Sequence, residues 1–169
     1  RDLHSFPTRR SSDLMRAHVR DGRKFIEEVA EPYDLIFLDA FSADSIPRQL
    51  TTRQFLEAVR RAMKPGGGVV ANLWSQSSNP LYQPMVNTYR EVFEQLYLLD
   101  VPGAGNVILF GLPWREPLGR DELERRTEEL VRRWGFKLDL PWMVRQGFES
   151  AGPKRIGGRV LVDERGATP

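Results

Sequence analysis

Tyr33-Asp34-Leu35-Ile36-Phe37-Leu38-Asp39 is an almost continuous apolar, partly β-branched run that stops on a carboxylate. A strand buried on both faces of a parallel sheet reads this way, because helices on either side leave it no polar face. The residues that follow, Ala40-Phe41-Ser42-Ala43-Asp44-Ser45-Ile46-Pro47, are too polar and too Pro-punctuated to continue a strand or begin a helix, and predict a loop.

Upstream, residues 16–20 alternate weakly and predict a short strand, after which Asp21-Gly22 turns the chain into a helix carrying Phe25, Ile26 and Val29 on one face. Downstream, Thr51-x-x-Gln54 matches a capping box. The helix it opens repeats Phe55, Leu56, Val59, Ala62 and Met63 until Lys64-Pro65-Gly66 stops it. Residues 68–74 read as the next strand, and Asn79-Pro80 opens a helix with Leu81, Met85, Val86, Tyr89, Val92 and Phe93 inward. Residues 96–101 and 107–111, joined by Pro102-Gly103-Ala104-Gly105, are close enough to form a hairpin.

Alternating strands and helices that end in a hairpin predict an α/β fold, a truncated doubly wound Rossmann-like sheet, mostly parallel with an antiparallel hairpin at one edge. Residues 15–111 are read as this domain and residues 112–169 as a helical extension and tail. The extension is expected to hold a helix from Asp121 to Trp134, with Leu123, Leu130, Val131 and Trp134 in a seam and Glu128/Arg132 and Glu129/Arg133 as ion pairs at spacing four. A short helix around Trp142 to Phe148 and a short strand from Arg159 to Val162 complete the tail. Residues 1–14, RDLHSFPTRRSSDL, have neither helical period nor alternation and no apolar core of a signal peptide. They resemble the translation of a sequencing adapter and are expected to be a disordered artefact, with the native start lying upstream.

Composition narrows the function. The chain has 169 residues, 40% hydrophobic and 28% charged, the balance of one globular domain. Its net charge is +2; residues 1–14 hold three Arg and two Asp, so the remainder carries about +1. With the basic residues interspersed among acidic ones, no nucleic-acid footprint is expected. No apolar run approaches the ~20 residues of a membrane helix, so no membrane partner is expected in this segment. The absence of Cys fits a reducing compartment, and a cytoplasmic protein is the expectation. His18 is the sole histidine outside the opening, so neither a metal cluster nor a Ser-His-Asp set is expected.

In open α/β sheets ligands sit beyond the carboxyl ends of the strands, and Asp39 lies at that edge. It either carries chemistry or satisfies backbone donors at the start of its loop. Asp44, five residues on, either joins Asp39 in binding an amine or is an ordinary turn residue. Asp21-Gly22 is either a plain helix cap or a contact to a nucleotide base. Tyr82 and Trp74, near the same edge, either flank a substrate or pack. Gly66-Gly67-Gly68 follows a helix and precedes a strand, the wrong order for a phosphate loop, so it reads as a helix stop.

The stretch from Tyr33 to Phe41, with Asp44-Ser45-Ile46-Pro47, Leu50-Thr51-Thr52, Phe55-Leu56, Lys64-Pro65-Gly66-Gly67 and Val101-Pro102-Gly103-Ala104-Gly105-Asn106, resembles bacterial spermidine synthase-like proteins of the S-adenosylmethionine-dependent methyltransferase superfamily. The likeness covers roughly residues 15–111, and Val160-Leu161-Val162-Asp163 is a weaker echo. It implies a class I methyltransferase-type fold and an aminopropyl transfer from decarboxylated S-adenosylmethionine to a small-molecule amine. By the same resemblance Asp39 would assist deprotonation of that amine, and Asp21 and Gly22 would help hold adenine; Asp44 and Tyr82, read from their place at the crevice, are the candidate substrate contacts. A homodimer is compatible with it. The archetypal synthases carry a second Asp where this chain has Ser42, and their Gly-rich cofactor loop precedes the matching segment, so the chain reads as a fragment inactive by itself. A methyltransferase using intact S-adenosylmethionine, or a non-catalytic domain retaining the fold, are the alternatives.

Overall fold

The computed structural model describes residues 15–41, 46–151 and 159–164. The opening 1–14 and Asp44 lie outside the described residues. Residues 15–20 form no strand, so the first element is α1, Gly22–Glu27. Then come β1 (Tyr33–Leu38), a single 3₁₀ turn (Arg48–Leu50), α2 (Arg53–Arg61), β2 (Met63–Trp74) and α3 (Tyr82–Val92). The chain continues through β3 (Gln95–Val101), β4 (Asn106–Leu112), α4 (Arg120–Trp134), α5 (Leu140–Gly147) and β5 (Phe148–Ala151).

The five strands form one sheet in the order β1-β2-β4-β3-β5. The α/β, Rossmann-like expectation holds, but the pairing pattern differs from the one read from sequence. β1 and β2 are parallel, while β2–β4, β4–β3 and β3–β5 are all antiparallel. β1, β2 and β3 nevertheless run in one direction. β4 inserts between β2 and β3 against that direction, because a four-residue turn can only send the chain back antiparallel. The hairpin is therefore internal on its β4 side, and its β3 side is closed by β5, a strand that sequence reading missed.

Helices α2 and α3 cover one face. Phe55, Leu56 and Val59 of α2 and Met85, Val86 and Tyr89 of α3 pack with Val69, Ala71, Leu73, Leu96 and Leu109 in the main core. Burying a side chain of this size stabilises the fold by roughly 1.5–3 kcal/mol before entropy is counted. On the opposite face a smaller cluster of Tyr97, Val144 and Phe148 packs α5 and the start of α4 over β3. The Tyr97 hydroxyl accepts from the Leu118 N–H at 2.9 Å, fixing the segment that enters α4.

That second cover does not extend over β1. Phe37, Val70, Phe110 and Tyr97 lie in one row across the sheet. Its aromatic residues are 8% exposed at Tyr97, 39% at Phe110 and 69% at Phe37, with Val70 half-buried between the last two. The two-sided burial expected of β1 is thus not found among the described residues; only Ile36 of that strand is buried. Tyr33, Leu35 and Phe37 share the bare face by simple alternation.

Several local expectations shift by small amounts for identifiable reasons. The cap of α2 is Thr52, whose Oγ1 accepts from the Phe55 N–H at 3.4 Å. The neighbouring Thr51 instead donates to the Arg48 carbonyl at 2.8 Å, closing the 3₁₀ turn, so the N-cap is one residue later than expected and no capping box forms, Gln54 Oε1 accepting instead from the Asp163 N–H. Met63 begins β2 rather than ending α2, since it pairs with Tyr33. Gly67 is packed where an added Cβ would stand 2.9 Å from the Tyr33 and Asp34 carbonyls, a structural reason for the glycine run that involves no phosphate. On α4, Leu130 and Trp134 stay exposed; Glu122 pairs with Arg125 and Arg126 within the helix, and Glu124 pairs with Arg145 of α5, which packs against α4.

Residues 159–164 form no strand. They are tied instead across the helices. The Leu161 N–H donates to Thr88 Oγ1 at 2.9 Å, its carbonyl accepts from the Arg53 N–H at 2.8 Å, and its side chain enters the main core.

The tightest backbone approach is at the end of α5, where a Cβ on Gly147 would fall 2.0 Å from the Asp100 carbonyl oxygen. Gly147→Ala must push β5 and α5 off β3. It is expected to cost about 1–3 kcal/mol, measured as a lower urea midpoint with an unchanged slope.

Candidate functional site

The parallel pairing of β1 with β2 sets Leu38 beside Ala71, so Asp39, the first residue past β1, meets Asn72, which lies two residues before the end of β2. Asn72 Nδ2 donates to Asp39 Oδ1 at 3.1 Å. Asn72 Oδ1 in turn accepts from Asn106 Nδ2 at 2.7 Å. β4 supplies Asn106 because its antiparallel return starts at this edge, with Asn106 opposite Trp74. The result is a three-residue chain of amide to amide to carboxylate. It orients Asp39 through Oδ1 and leaves Oδ2 outside the relay, on an exposed residue.

Beside it, Phe41 stacks on Trp74 with ring centroids 5.4 Å apart and planes 16° from parallel. The pair pins the first residues of the Asp39 loop to the end of β2 and gives the crevice an apolar wall. Beneath the loop, Leu38, Ala40, Ile46, Leu50, Phe55 and Asn72 line a cavity of about 20 Å³, room for a water at most. Trp74 therefore does sit at the candidate site, through Phe41.

Tyr82 does not join that cluster. It is the first residue of α3, half-buried, and its charged neighbours are Glu149 of β5, Asp100 of β3 and Arg90 of α3. Burial, then the nearby carboxylates, push its hydroxyl above the ordinary phenol range.

Asp21 caps α1, its Oδ1 accepting from the Lys24 N–H at 3.0 Å. That hydrogen bond holds its carboxyl below the usual range. The cap reading is thus realised, and Gly22 follows it exposed. Asp21 opens on a cleft of about 810 Å³ that is also lined by Arg23, Lys24, Arg48, Gln49, Thr52 and Asp163. The 3₁₀ turn that follows the Asp39 loop thus forms one wall of the cleft that holds Asp21.

Arg23 makes a bidentate ion pair with Asp163, at 2.8 and 2.6 Å, and also reaches the Gln49 carbonyl at 3.2 Å and Glu27 at 2.8 Å. The guanidinium holds the Asp163 carboxyl below its ordinary value, and the two carboxylates raise Arg23 in return. Asn72, Asn106 and the Arg23–Asp163 pair were all missed in the sequence. The available signal was the amide of Asn72 in the otherwise apolar run of residues 69–74, a polar group that needs a partner. Among the described residues no cluster of His, Cys, Asp and Glu could hold a metal ion, and no helix is long and apolar enough to cross a membrane.

Comparison with known proteins finds aminopropyltransferases and methyltransferases. Residues 2–76 match a family described as S-adenosyl-L-methionine-dependent methyltransferase. A polyamine aminopropyltransferase of Vibrio vulnificus is 34% identical over 120 residues, covering 69% of this chain and 39% of the relative. One from Saccharolobus islandicus is 32% identical over 121 residues, covering 67% and 40%. The chain therefore spans about two-fifths of the length of these relatives. Among solved structures, a probable spermidine synthase from Corynebacterium glutamicum aligns with a TM-score of 0.64 and 25% identity, over 90% of this chain and 55% of that one. Human methyltransferase-like protein 13, solved with SAH, gives 0.61 and 25%, over 78% and 60%.

The Arg23–Asp163 pair carries a pH signature. Because the folded-state value of Asp163 is depressed, its stabilisation is complete above the unfolded carboxylate range and lost as pH falls through the folded value. The pair is partly exposed, so about 1 kcal/mol is expected at neutral pH. Denaturant unfolding of the unaltered chain and Asp163→Asn should differ by that amount at pH 7, begin to converge near the ordinary carboxylate value of about 4, and coincide only below the depressed folded-state value.

Proposed function

The chain belongs to the spermidine synthase-like (polyamine aminopropyltransferase) family of the S-adenosylmethionine-dependent methyltransferase superfamily, and on that footing we propose that the intact protein transfers an aminopropyl group from decarboxylated S-adenosylmethionine to a small amine. The observation that carries the reading is Asp39. It is exposed at the carboxyl edge of the sheet and held through one oxygen by Asn72.

The donor supplies a carbon activated by attachment to a positively charged sulfur. A primary amine with a lysine-like pKa of ~10 is protonated at neutral pH and cannot attack that carbon until a base removes the proton. Asp39 first binds the ammonium by charge and then accepts its proton. The nitrogen lone pair forms the new N–C bond, the C–S bond breaks, and its electrons return to sulfur, leaving a neutral thioether nucleoside. The relay through Asn72 and Asn106 keeps Asp39 aimed, so that binding and proton transfer need no reorganisation. Asp21 and Gly22 are assigned to the adenine, and Asp44 and Tyr82 to the amine. Asp44 lies outside the described residues, and Tyr82 has Asp100 of β3 and Glu149 of β5 as its acidic neighbours. The amine is the only partner assigned beyond the donor. The cysteine-free composition supports a cytoplasmic setting.

A methyltransferase reading on the same scaffold has its own support, the match of residues 2–76 to a methyltransferase family. That reading uses intact S-adenosylmethionine and requires no base at Asp39.

In the intact protein, Asp39→Asn is expected to lower kcat by about 10²–10⁴-fold without a change in unfolding midpoint, since the residue is exposed and the amide preserves its shape. Unchanged turnover would remove Asp39 from the reaction. Offering decarboxylated and intact S-adenosylmethionine in parallel, with product mass as the readout, should give aminopropyl product only. Methyl transfer alone would establish the second reading instead.

A further inference from the structure

The short helix α1 cannot hold its own position. It has six residues, and isolated helices well under ~12 residues do not persist in water. Ile26 is its single buried side chain. Phe25 is only partly buried against the main core. Such packing leaves rotation and sliding of the helix weakly restrained. The polar contacts of Arg23 supply the missing restraint.

The Arg23 fork meets Asp163 with both nitrogens, and the same guanidinium reaches the Gln49 carbonyl and, at 3.5 Å, Thr52 Oγ1. Asp163 is itself fixed from behind, its N–H donating to Gln54 Oε1 at 3.1 Å. Two residues earlier, Leu161 is bound by α2 and α3 through its backbone and buried by its side chain. The line of force therefore runs from the core, through Leu161 and Asp163, into Arg23, two residues from Asp21.

We propose that Asp163 is a positioning residue: through Arg23 it holds α1 so that Asp21 and Gly22 stand at a fixed place for the adenine of the donor. This role rests on the assignment of Asp21 and Gly22 to the adenine under the proposed function. Asp163 touches no reacting atom, and its effect falls on nucleoside affinity rather than on the transfer step. The geometry also says why Arg is needed at position 23, since a lysine would keep the charge but lose the two-pronged contact.

The test uses the intact protein and 5′-methylthioadenosine, the nucleoside left by aminopropyl transfer, as a calorimetric probe. Asp163→Asn and Arg23→Lys are each expected to weaken its binding about tenfold, as a misplaced contact does, while kcat at saturating donor stays near that of the unaltered protein. Amide exchange should quicken in residues 22–27 and not in residues 69–73, which separates a local release from general unfolding. Should Asp163→Asn fail to fold, Arg23→Lys, which retains the ion pair's charge, decides the matter. Affinity unchanged in a folded variant, or a loss confined to kcat, overturns the positioning role while leaving the functional reading intact. If the unaltered protein does not bind the nucleoside, the functional reading fails and this inference with it.

Discussion

The parallel register between β1 and β2 is the constraint on which the candidate site depends. Parallel strands held in one register bring the residue just past the end of β1 beside the matching position of β2, although the two stand 33 positions apart in the sequence. Leu38 beside Ala71 makes Asp39 and Asn72 neighbours. A slip of one residue would turn Asn72 to the opposite face and leave its amide without the carboxylate. The core under α2 and α3 enforces the register, because Ile36, Val69 and Ala71 can be buried there only in this alignment.

The antiparallel return of β4 has a comparable role. Its first residue, Asn106, arrives at the same edge from the opposite direction and steadies Asn72. Asn72 and Asn106 stand on paired strands, and Asp39 is the first residue past the end of β1. A candidate base built in this way is supported by the sheet rather than by the loop that it begins. That loop can consequently serve recognition, with the Phe41–Trp74 stack holding its near end.

Much of this was legible in the sequence, and the failures have particular causes. The run from Tyr33 to Leu38 announced β1 because strand length and β-branching agree there, and the polar loop after Asp39 marked its end. The burial of that strand was not legible, since an apolar run does not say which elements cover it. The choice between Thr51 and Thr52 as cap was undecidable locally, two hydroxyl residues being side by side; the 3₁₀ turn claims the first. β5 owes its strand character to pairing with β3, a partner more than forty residues away, while residues 159–162, β-branched and apolar enough to read as a strand, find side-chain and helix-end partners instead. Arg23 and Asp163, 140 residues apart, had no local signature at all.

The row from Tyr97 through Phe110 to Phe37, open at its β1 end, has a colloidal consequence. At β1 an uncovered aromatic face coincides with a strand edge that has no neighbour among the described residues. Each is tolerable by itself; together they offer an approaching chain both backbone hydrogen bonds and dehydration of an apolar surface in one contact. In concentrated solution that strip would govern the behaviour of the 169-residue polypeptide. The solubility of any preparation would report how well the strip is shielded before it reported anything about catalysis.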